Sequence, residues 1–236
     1  MSDAVLVTVL IPVKDEQDNV ARLAAEITAA FAPSGWSWEA LWVDDGSTDG
    51  TAAALRALGA PHRMISLVRN VGQSAALMAG AEQARGIWLA TLDGDGQNDP
   101  ADLPGQLRKA LAEDLDMVNG IRARRNDDWR RKLASRFGNA VRNWMTGRSV
   151  TDVGCSTRVL KRAFMLRLPF FHGMHRFLPA LMQMKGARMA EIPVNHRPRQ
   201  AGRSKYGAFS RGFTAFRDLF GVRWLQARNR VWTLRE

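Results

Sequence analysis

Two aspartates stand two residues apart in the stretch Leu92-Asp93-Gly94-Asp95-Gly96-Gln97, which directly follows the apolar run of residues 86–91. The run predicts a buried strand, so both carboxylates are expected where that strand ends in a loop. Oxygen ligands arranged in this way suit a divalent cation such as Mg²⁺ or Mn²⁺, whose coordination is usually completed by substrate phosphates. Because Asp-x-Asp pairs also occur in ordinary solvated turns, the interpretation depends on the rest of the chain.

The chain around this stretch alternates between strand-like and helix-like segments. Continuous apolar runs indicate buried strands, and apolar residues spaced three and four apart indicate helices. This alternation predicts an α/β fold with a mostly parallel central sheet flanked by helices. The predicted strands are residues 5–13, 39–43, 64–68, 87–92, 116–120 and 188–194. The predicted helices are residues 18–30, 51–58, 74–84, 99–111, 130–144 and most of 158–184.

The size and composition of the chain favour a single domain. Its 236 residues, 46% of them hydrophobic, are enough to bury one substantial core, and we expect a domain over residues 1–208 followed by a tail over 209–236. One cysteine, Cys155, excludes a disulfide framework and suits a reducing cytoplasm. The sequence predicts neither a signal peptide nor a membrane span, since its apolar runs fall short of the roughly 20 residues that a span requires.

The charges of the chain are unevenly distributed. Residues 1–121 carry 8 basic and 17 acidic side chains, whereas residues 122–236 carry 26 basic and 6 acidic ones. This asymmetry predicts an anionic partner for the second half, either nucleic acid or a lipid surface, although a merely solvated basic surface is the alternative. Few aromatic residues interleave the arginines of residues 122–148, which argues against single-stranded nucleic acid.

The tail carries an aromatic stripe at helical spacing. Its members are Phe209, Phe213, Phe216, Phe220 and Trp224, and several arginines accompany them. A basic amphipathic helix of this kind is typical of segments that lie in a membrane interface. The alternative is a stripe that packs against the protein's own core.

Polar residues follow three of the predicted strands at residues 12–16, 44–47 and 93–95. In an open parallel sheet, ligands bind beyond the carboxyl ends of the strands, so these residues are expected to share one site. The first strand is not followed by Gly-x-Gly-x-x-Gly, which argues against a dinucleotide-dependent dehydrogenase.

Together these motifs resemble the family 2 glycosyltransferases, which have the Rossmann-like GT-A fold. The resemblance rests on Ile11-Pro12-Val13-x-x-Glu16, on Val43-Asp44-Asp45-Gly46-Ser47-Thr48-Asp49-Gly50-Thr51 and on Asp93-x-Asp95. More narrowly, three further motifs are similar to those of dolichyl-phosphate mannosyltransferase and its bacterial polyprenyl-phosphate relatives. They are Arg69-Asn70-x-Gly72, Asp95-Gly96-Gln97-x-x-Pro100 and Arg199-x-x-Gly202-x-Ser204-Lys205.

The resemblance implies an inverting hexosyltransferase that moves a sugar from a GDP- or UDP-type nucleotide sugar to a dolichyl or undecaprenyl phosphate. Carried over by position, the base and ribose would be held by Pro12, Glu16, Val43 and Asp45. The metal, Mg²⁺ or Mn²⁺, would be held by Asp93, Asp95 and Gln97. The donor diphosphate would lie against Asp93, Gly94, Asp95, Arg199 and Lys205. The acceptor phosphate would be held by Arg122, Arg131, Ser135 and Arg199.

The resemblance also implies a location and partners. We expect a peripheral protein on the cytoplasmic face of a membrane, with the tail bound to anionic lipid or to a small membrane-spanning protein, and no nucleic acid partner. Lys14 stands where the mannosyltransferases often have an aromatic residue, so a guanine base is not implied. Residues 151–158 are closer to the bacterial members, which favours a sugar other than mannose.

The implied reaction displaces a nucleoside diphosphate from the anomeric carbon of the sugar. A cation on the aspartate pair would neutralise the charge that develops on the leaving group. A lipid phosphate is already ionised and needs little help from a base, which fits the lack of an evident catalytic histidine. The alternative acceptor is a hydroxyl of a saccharide or protein, which would need a base within hydrogen-bond reach, and Asp152 is the candidate.

Overall fold

The computed structural model describes residues 4–122, 147, 150–152, 154–197 and 208–230, with only the backbone described for 208–216. Within these residues seven strands form one sheet. They are β1 (Val7–Val13), β2 (Trp38–Asp44), β3 (His62–Ser66), β4 (Trp88–Thr91), β5 (Met117–Arg122), β6 (Arg158–Lys161) and β7 (Met189–Val194). Their order across the sheet is β3-β2-β1-β4-β6-β5-β7.

The sheet is mostly parallel, as the sequence predicts. β1 pairs in parallel with β2 and β4, β2 with β3, and β5 with β7. β6 alone among the described strands runs antiparallel, to both β4 and β5.

The prediction that residue 158 begins a helix is wrong, because Arg158–Lys161 is strand β6. Val159 and Leu160 are both fully buried within the sheet. Periodicity cannot distinguish so short an apolar run from a buried turn of helix.

Helices cover both faces of the sheet. They are α1 (Gln17–Phe31), α2 (Thr51–Arg56), α3 (Gln73–Gln83), α4 (Asp102–Ala112), α5 (Arg162–Met165), α6 (Leu178–Met184) and α7 (Ala208–Arg228). Short 3₁₀ turns occupy Ala32–Ser34 and Met174–Phe177. The predicted helix over residues 130–144 lies outside the described residues.

Alternating side chains of the strands pack into two separate hydrophobic cores, one on each face of the sheet. Val9 and Ile11 of β1 face the layer formed by α1, α2 and α4, whereas Leu10 faces the layer formed by α3, α5, α6 and α7. This two-residue period is the normal consequence of a pleated strand with both faces covered. The expected α/β fold of helices around a central sheet is therefore confirmed.

The C-terminal helix α7 docks on the second core through Leu219 and Val222, which are buried. Phe220 and Trp224 of the predicted aromatic stripe are instead 57% and 59% exposed. More than half of the surface of each of these two side chains is therefore accessible to solvent and is not buried in the protein's own core. The side chains of the other three members, Phe209, Phe213 and Phe216, lie outside the described residues. Among the described helices, none has both the length and the apolar character needed to cross a membrane.

Candidate active site

Two of the three predicted motif loops are bonded to each other at the carboxyl edge of the sheet. The Asp15 amide donates to Ser47 Oγ at 2.9 Å, and the Thr48 amide donates to the Asp15 carboxylate at 2.8 Å. The Glu16 amide donates to Thr51 Oγ1 at 2.8 Å. The segment after β1 and the loop after β2 therefore form one rigid rim above the neighbouring ends of these parallel strands.

Asp45 connects this rim to the Arg69-Asn70-x-Gly72 motif. Its two carboxylate oxygens accept the backbone N–H groups of Val71, at 2.8 Å, and of Gly72, at 2.9 Å. Gly46 has a positive φ of 65°, and a Cβ there would lie 2.6 Å from the backbone carbon of Arg69. Asp45 thus holds two loops together in this structure, and its predicted contact with ribose stays a prediction.

The other residues predicted to hold the base and ribose gather at the same edge. Pro12 and Val43 are direct partners in the β1–β2 pairing. The Glu16 carboxylate accepts a hydrogen bond from the Asn19 side chain at 2.7 Å. Lys14 Nζ donates to the Gly46 carbonyl at 3.0 Å, so this lysine supports the loop after β2.

The third motif loop, which follows β4, passes very close to the end of β1. A Cβ on Gly94 would lie 2.5 Å from Val13 Cγ1 and 3.2 Å from the Pro12 carbonyl oxygen. Only glycine permits so close an approach. The missing side chain therefore keeps Asp93 and Asp95 beside the rim formed by the other two loops.

The carboxylate pair has the character of a cation site. Burial raises the pKa of Asp93, and the neighbouring charge of Asp95 raises it further. Asp95 Oδ1 accepts the backbone N–H of Gln97 at 3.1 Å. A buried carboxylate held beside a second carboxylate is stabilised by a divalent cation, and carboxylate oxygens are ligands that Mg²⁺ and Mn²⁺ prefer.

The described part of the chain does not provide a complete set of metal ligands from its own side chains. No group of three or more histidine, cysteine, aspartate or glutamate side chains there is arranged to hold a metal ion. Asp93 and Asp95 would therefore need other oxygen donors, such as the Gln97 amide or the phosphates of a substrate.

Gln73, which belongs to none of the three motif loops, contacts the first aspartate. Its Nε2 donates to Asp93 Oδ1 at 2.7 Å from the first turn of α3. Because Asp93 and Gln73 are 20 residues apart, hydrophobic periodicity carries no signal for this contact.

A buried arginine acts electrostatically on the same carboxylate. Arg158 is 4% exposed and stands opposite Thr91 in the β4–β6 pairing. Its Nε donates to Asn119 Oδ1 at 3.0 Å, and its Nη1 donates to the His175 carbonyl at 3.1 Å. Burial lowers the pKa of Arg158, and the charge of Asp93 opposes that shift. Arg158 was missed because residue 158 was predicted to begin a helix.

Hydrogen bonds between Ser74 and His175 connect the start of α3, which carries Gln73, to the 3₁₀ turn that binds Arg158. Ser74 Oγ accepts the backbone N–H groups of Gly173 and His175, at 3.1 and 3.3 Å, and lies 2.7 Å from His175 Nδ1. Burial, with the charges of Arg176 and Arg158, lowers the pKa of His175 to about 3, so the imidazole is neutral at neutral pH. The hydroxyl therefore donates to Nδ1 and fixes α3, which carries Gln73, against the 3₁₀ turn that binds Arg158.

Arg122 and Asp152, which were predicted to have separate roles, are bonded to each other. Arg122 Nε and Nη2 each donate to a different oxygen of Asp152 at 2.8 Å, and the Arg122 amide adds a bond of 3.2 Å. This bidentate pair stands at the end of β5. Binding of an acceptor phosphate by Arg122 and base catalysis by Asp152 both stay predictions.

The remaining predicted phosphate ligands, Arg131, Ser135, Arg199 and Lys205, lie outside the described residues. Arg197, the last described residue before this segment, is held near the carboxylate pair. The Arg197 amide donates to the Gln97 carbonyl at 2.8 Å, and its guanidinium contacts Glu26 and Asp99 at 2.8 Å each.

Comparison with solved structures identifies the same fold in enzymes of low sequence identity. Glucosyl-3-phosphoglycerate synthase from Mycobacterium tuberculosis, in complex with Mn²⁺, UDP and phosphoglyceric acid, matches with a TM-score of 0.71 at 16% identity, over 95% of this chain and 79% of that one. Mannosyl-3-phosphoglycerate synthase from Rubrobacter xylanophilus matches with a TM-score of 0.69 at 19% identity, over 98% and 77% of the respective chains.

Sequence relatives are closer. The chain is 36% identical over 222 residues to dodecaprenyl-phosphate galacturonate synthase of Rhizobium johnstonii, which covers 91% of this chain and 65% of that protein. It is 38% identical over 205 residues to undecaprenyl-phosphate 4-deoxy-4-formamido-L-arabinose transferase of Edwardsiella ictaluri, which covers 85% of this chain and 63% of that protein. The chain thus spans less than two thirds of the length of these relatives.

A family model described as glycosyl transferase family 2 matches residues 8–171, the segment that contains all three motif loops. The family expected from the motifs is therefore confirmed. The chain belongs to glycosyl transferase family 2.

Proposed function

We propose that the protein transfers a sugar from a GDP- or UDP-type nucleotide sugar to a polyprenyl phosphate at the cytoplasmic surface of a membrane. The observation that carries this proposal is the meeting of three motif loops around the Asp93 and Asp95 carboxylates, in a chain of this family. Further support comes from the two relatives above, whose names both specify a polyprenyl phosphate.

On the donor side, Asp93, Asp95 and Gln97 would hold Mg²⁺ or Mn²⁺. The ion would supply charge neutralisation for the departing diphosphate. Gln73 would fix the orientation of Asp93 through its hydrogen bond, and the nearby charge of Arg158 would favour the ionised carboxylate. Base and ribose would be held by Pro12, Glu16, Val43 and Asp45, and the diphosphate by Arg199 and Lys205.

On the acceptor side, the Arg122–Asp152 pair favours a phosphate over a hydroxyl. A hydroxyl acceptor would need Asp152 as its base, yet both oxygens of that carboxylate accept bonds from Arg122. A phosphate needs no base, and a guanidinium at the same place suits a second anion. We infer that Arg122, with Arg131, Ser135 and Arg199, receives the phosphate of the lipid.

A peripheral membrane location is supported by α7. Its exposed Phe220 and Trp224 are flanked by Arg217, Arg223 and Arg228, a pattern suited to an anionic interface. A small membrane-spanning protein is the alternative partner for this helix.

The proposal is tested by incubating purified protein with Mn²⁺, a polyprenyl phosphate and each of a panel of nucleotide sugars. We expect one donor to give a product whose mass equals the lipid phosphate plus one sugar, and label that enters organic solvent. Label that stays in water on a saccharide or protein would contradict it. The Asp93→Asn variant serves as the matched inactive control.

A further inference from the structure

We propose that a cationic groove between α6 and α7 binds the phosphate headgroup of an anionic phospholipid, so that the catalytic domain and α7 dock on the bilayer as one surface. This inference rests on the proposed function only in taking the acceptor to be membrane-borne. Its test measures lipid binding and does not depend on sugar transfer.

The groove is a cavity of about 280 Å³ where the loop after α5, the end of α6 and the end of α7 meet. Three of its lining residues are cations, namely Arg167, Lys185 and Arg228, and none is acidic. Apart from Asn229, the other lining residues are apolar. A concavity of this size with three cations and no opposing carboxylate is complementary to a phosphate with an attached hydrocarbon chain.

Two hydrogen bonds hold the walls of the groove together. Lys185 Nζ donates to Asn229 Oδ1 at 3.1 Å, and Asn229 Nδ2 donates to the Met184 carbonyl at 2.7 Å. Arg228 lies over the Trp224 ring, 5.7 Å from its centroid. These contacts preorganise Lys185 and Arg228 before any ligand arrives.

The rim of the groove identifies the source of the phosphate as a bilayer. Leu166 lines the groove and is 40% exposed, and Phe170, next to the lining residue Pro169, is exposed as well. Trp224 and Phe220 are both exposed and lie one and two turns before the lining residue Arg228, on the same face of α7. Free phosphate in water would leave all four side chains exposed, whereas a lipid interface would bury them and place the tryptophan where amphipathic rings are favoured.

The groove is separate from the acceptor site. β6 begins with Arg158 beside the carboxylate pair and ends with Lys161, which is paired with Trp88 at the opposite end of β4. α5 follows Lys161 directly, so the groove lies toward the end of the sheet that is remote from Asp93. The phospholipid is therefore an anchor and not the acceptor, and α7, about 30 Å long, would lie in the plane of the membrane.

The experiment is sedimentation with vesicles of 30% phosphatidylglycerol and 70% phosphatidylcholine, beside vesicles of phosphatidylcholine alone. We expect the parent to prefer the anionic vesicles. The double variant Arg167→Gln/Arg228→Gln should lose about fivefold in partition per removed cation, hence roughly 25-fold in all. Trp224→Ser should weaken binding to both kinds of vesicle.

Matched controls lie on the opposite face of the sheet. Arg56→Gln/Arg108→Gln removes two exposed cations from the layer of α1, α2 and α4, and Leu111→Ser removes an apolar side chain that is 43% exposed there. Both controls should stay within about twofold of the parent, because charges more than about 10 Å from the contact surface are screened. Unchanged thermal unfolding midpoints should accompany all variants.

The inference is overturned if Arg167→Gln/Arg228→Gln binds anionic vesicles as well as the parent does. It is also overturned if Arg56→Gln/Arg108→Gln loses as much binding as the groove variant. Inorganic phosphate, compared with chloride at matched ionic strength, should not displace the parent, and displacement would overturn the assignment to lipid. Transfer to a detergent-solubilised short-chain polyprenyl phosphate without vesicles should be retained by the groove variant. If the parent protein transfers no sugar in this assay, the proposed function is refuted, but the conclusion from the vesicle experiment is unaffected.

Discussion

The Gln73 side-chain amide donates a 2.7 Å hydrogen bond to the Asp93 carboxylate, and so joins the start of α3 to the end of β4. A neutral donor in this position orients a carboxylate without neutralising its charge. Partners of this kind affect metal affinity about 10- to 100-fold in other sites. We therefore expect Gln73→Ala to weaken Mn²⁺ affinity by about tenfold. Titration calorimetry in the presence of a nucleoside diphosphate measures this effect. Gln83→Ala, at the exposed end of the same helix, is the control, and equal affinities in the two variants would refute the role of Gln73.

Adding a side chain at Gly94 should disturb the site of Asp93 and Asp95 through a steric clash. Because a Cβ at this position would lie 2.5 Å from Val13 Cγ1 and 3.2 Å from the Pro12 carbonyl oxygen, Gly94→Ala must shift either the loop that carries both aspartates or the end of β1 beside it. A displacement of about 1 Å can cost about 100-fold in rate, and we expect a loss of that order in sugar transfer.

Gly105→Ala is the matched control for the Gly94 variant. A Cβ at Gly105 in α4 meets no atom within 4 Å, so this variant should keep its activity and gain about 0.5–1 kcal/mol in the free energy of unfolding. Full transfer activity in Gly94→Ala would show that the loop does not need its close approach to β1.

The neutral His175 predicts a pH dependence of stability. Its pKa is about 3 in the folded protein and about 6.5 when unfolded, so below pH 6.5 the unfolded state binds a proton that the folded state does not. The contribution of His175 to the free energy of unfolding is therefore fully present above about pH 6.5. It decreases as the pH falls towards 3, by up to about 1.4 kcal/mol per pH unit.

Urea unfolding of the parent and of His175→Gln at pH 6.5 and 4.5 measures this contribution. The variant should be less stable at pH 6.5 but should lose less between the two values. His172→Gln, which changes an exposed histidine, should follow the parent. If the free energy of unfolding falls equally between these pH values in the parent and in His175→Gln, His175 is not held neutral in the folded protein.

The Arg122–Asp152 pair separates the two classes of acceptor. If Asp152 only positions Arg122, Asp152→Asn should lower transfer by less than about tenfold and leave the shape of the pH–rate profile unchanged. A general base contributes about 10²–10⁴-fold, and its removal would also abolish the acidic limb of that profile. The pH–rate profile of the variant, measured with a polyprenyl phosphate acceptor, is therefore decisive. A loss of 1,000-fold with a missing limb would favour a hydroxyl acceptor.

The sequence was sufficient to predict β1, β2 and β4 and the loops that follow them. Their apolar runs are continuous, and their glycines and aspartates mark the turns. It was insufficient for β6, whose four residues give no clear period. It also gave no indication of the Ser74–His175 bond, since the two residues are 101 positions apart and no local pattern reports such a contact. Arg158 had a weak signal, an arginine beside Val159 and Leu160, which became meaningful only when the strand was located.

The central claim is that Asp93 and Asp95 hold a divalent cation against the diphosphate of a nucleotide sugar. Anomalous diffraction at the manganese edge, from crystals soaked with Mn²⁺ and a nucleoside diphosphate, tests it most directly. We expect a single strong peak within coordination distance of both carboxylates and of two phosphate oxygens, and no such peak in Asp93→Asn/Asp95→Asn. Bound nucleotide with no manganese between it and these aspartates, or manganese bound elsewhere, would contradict the account.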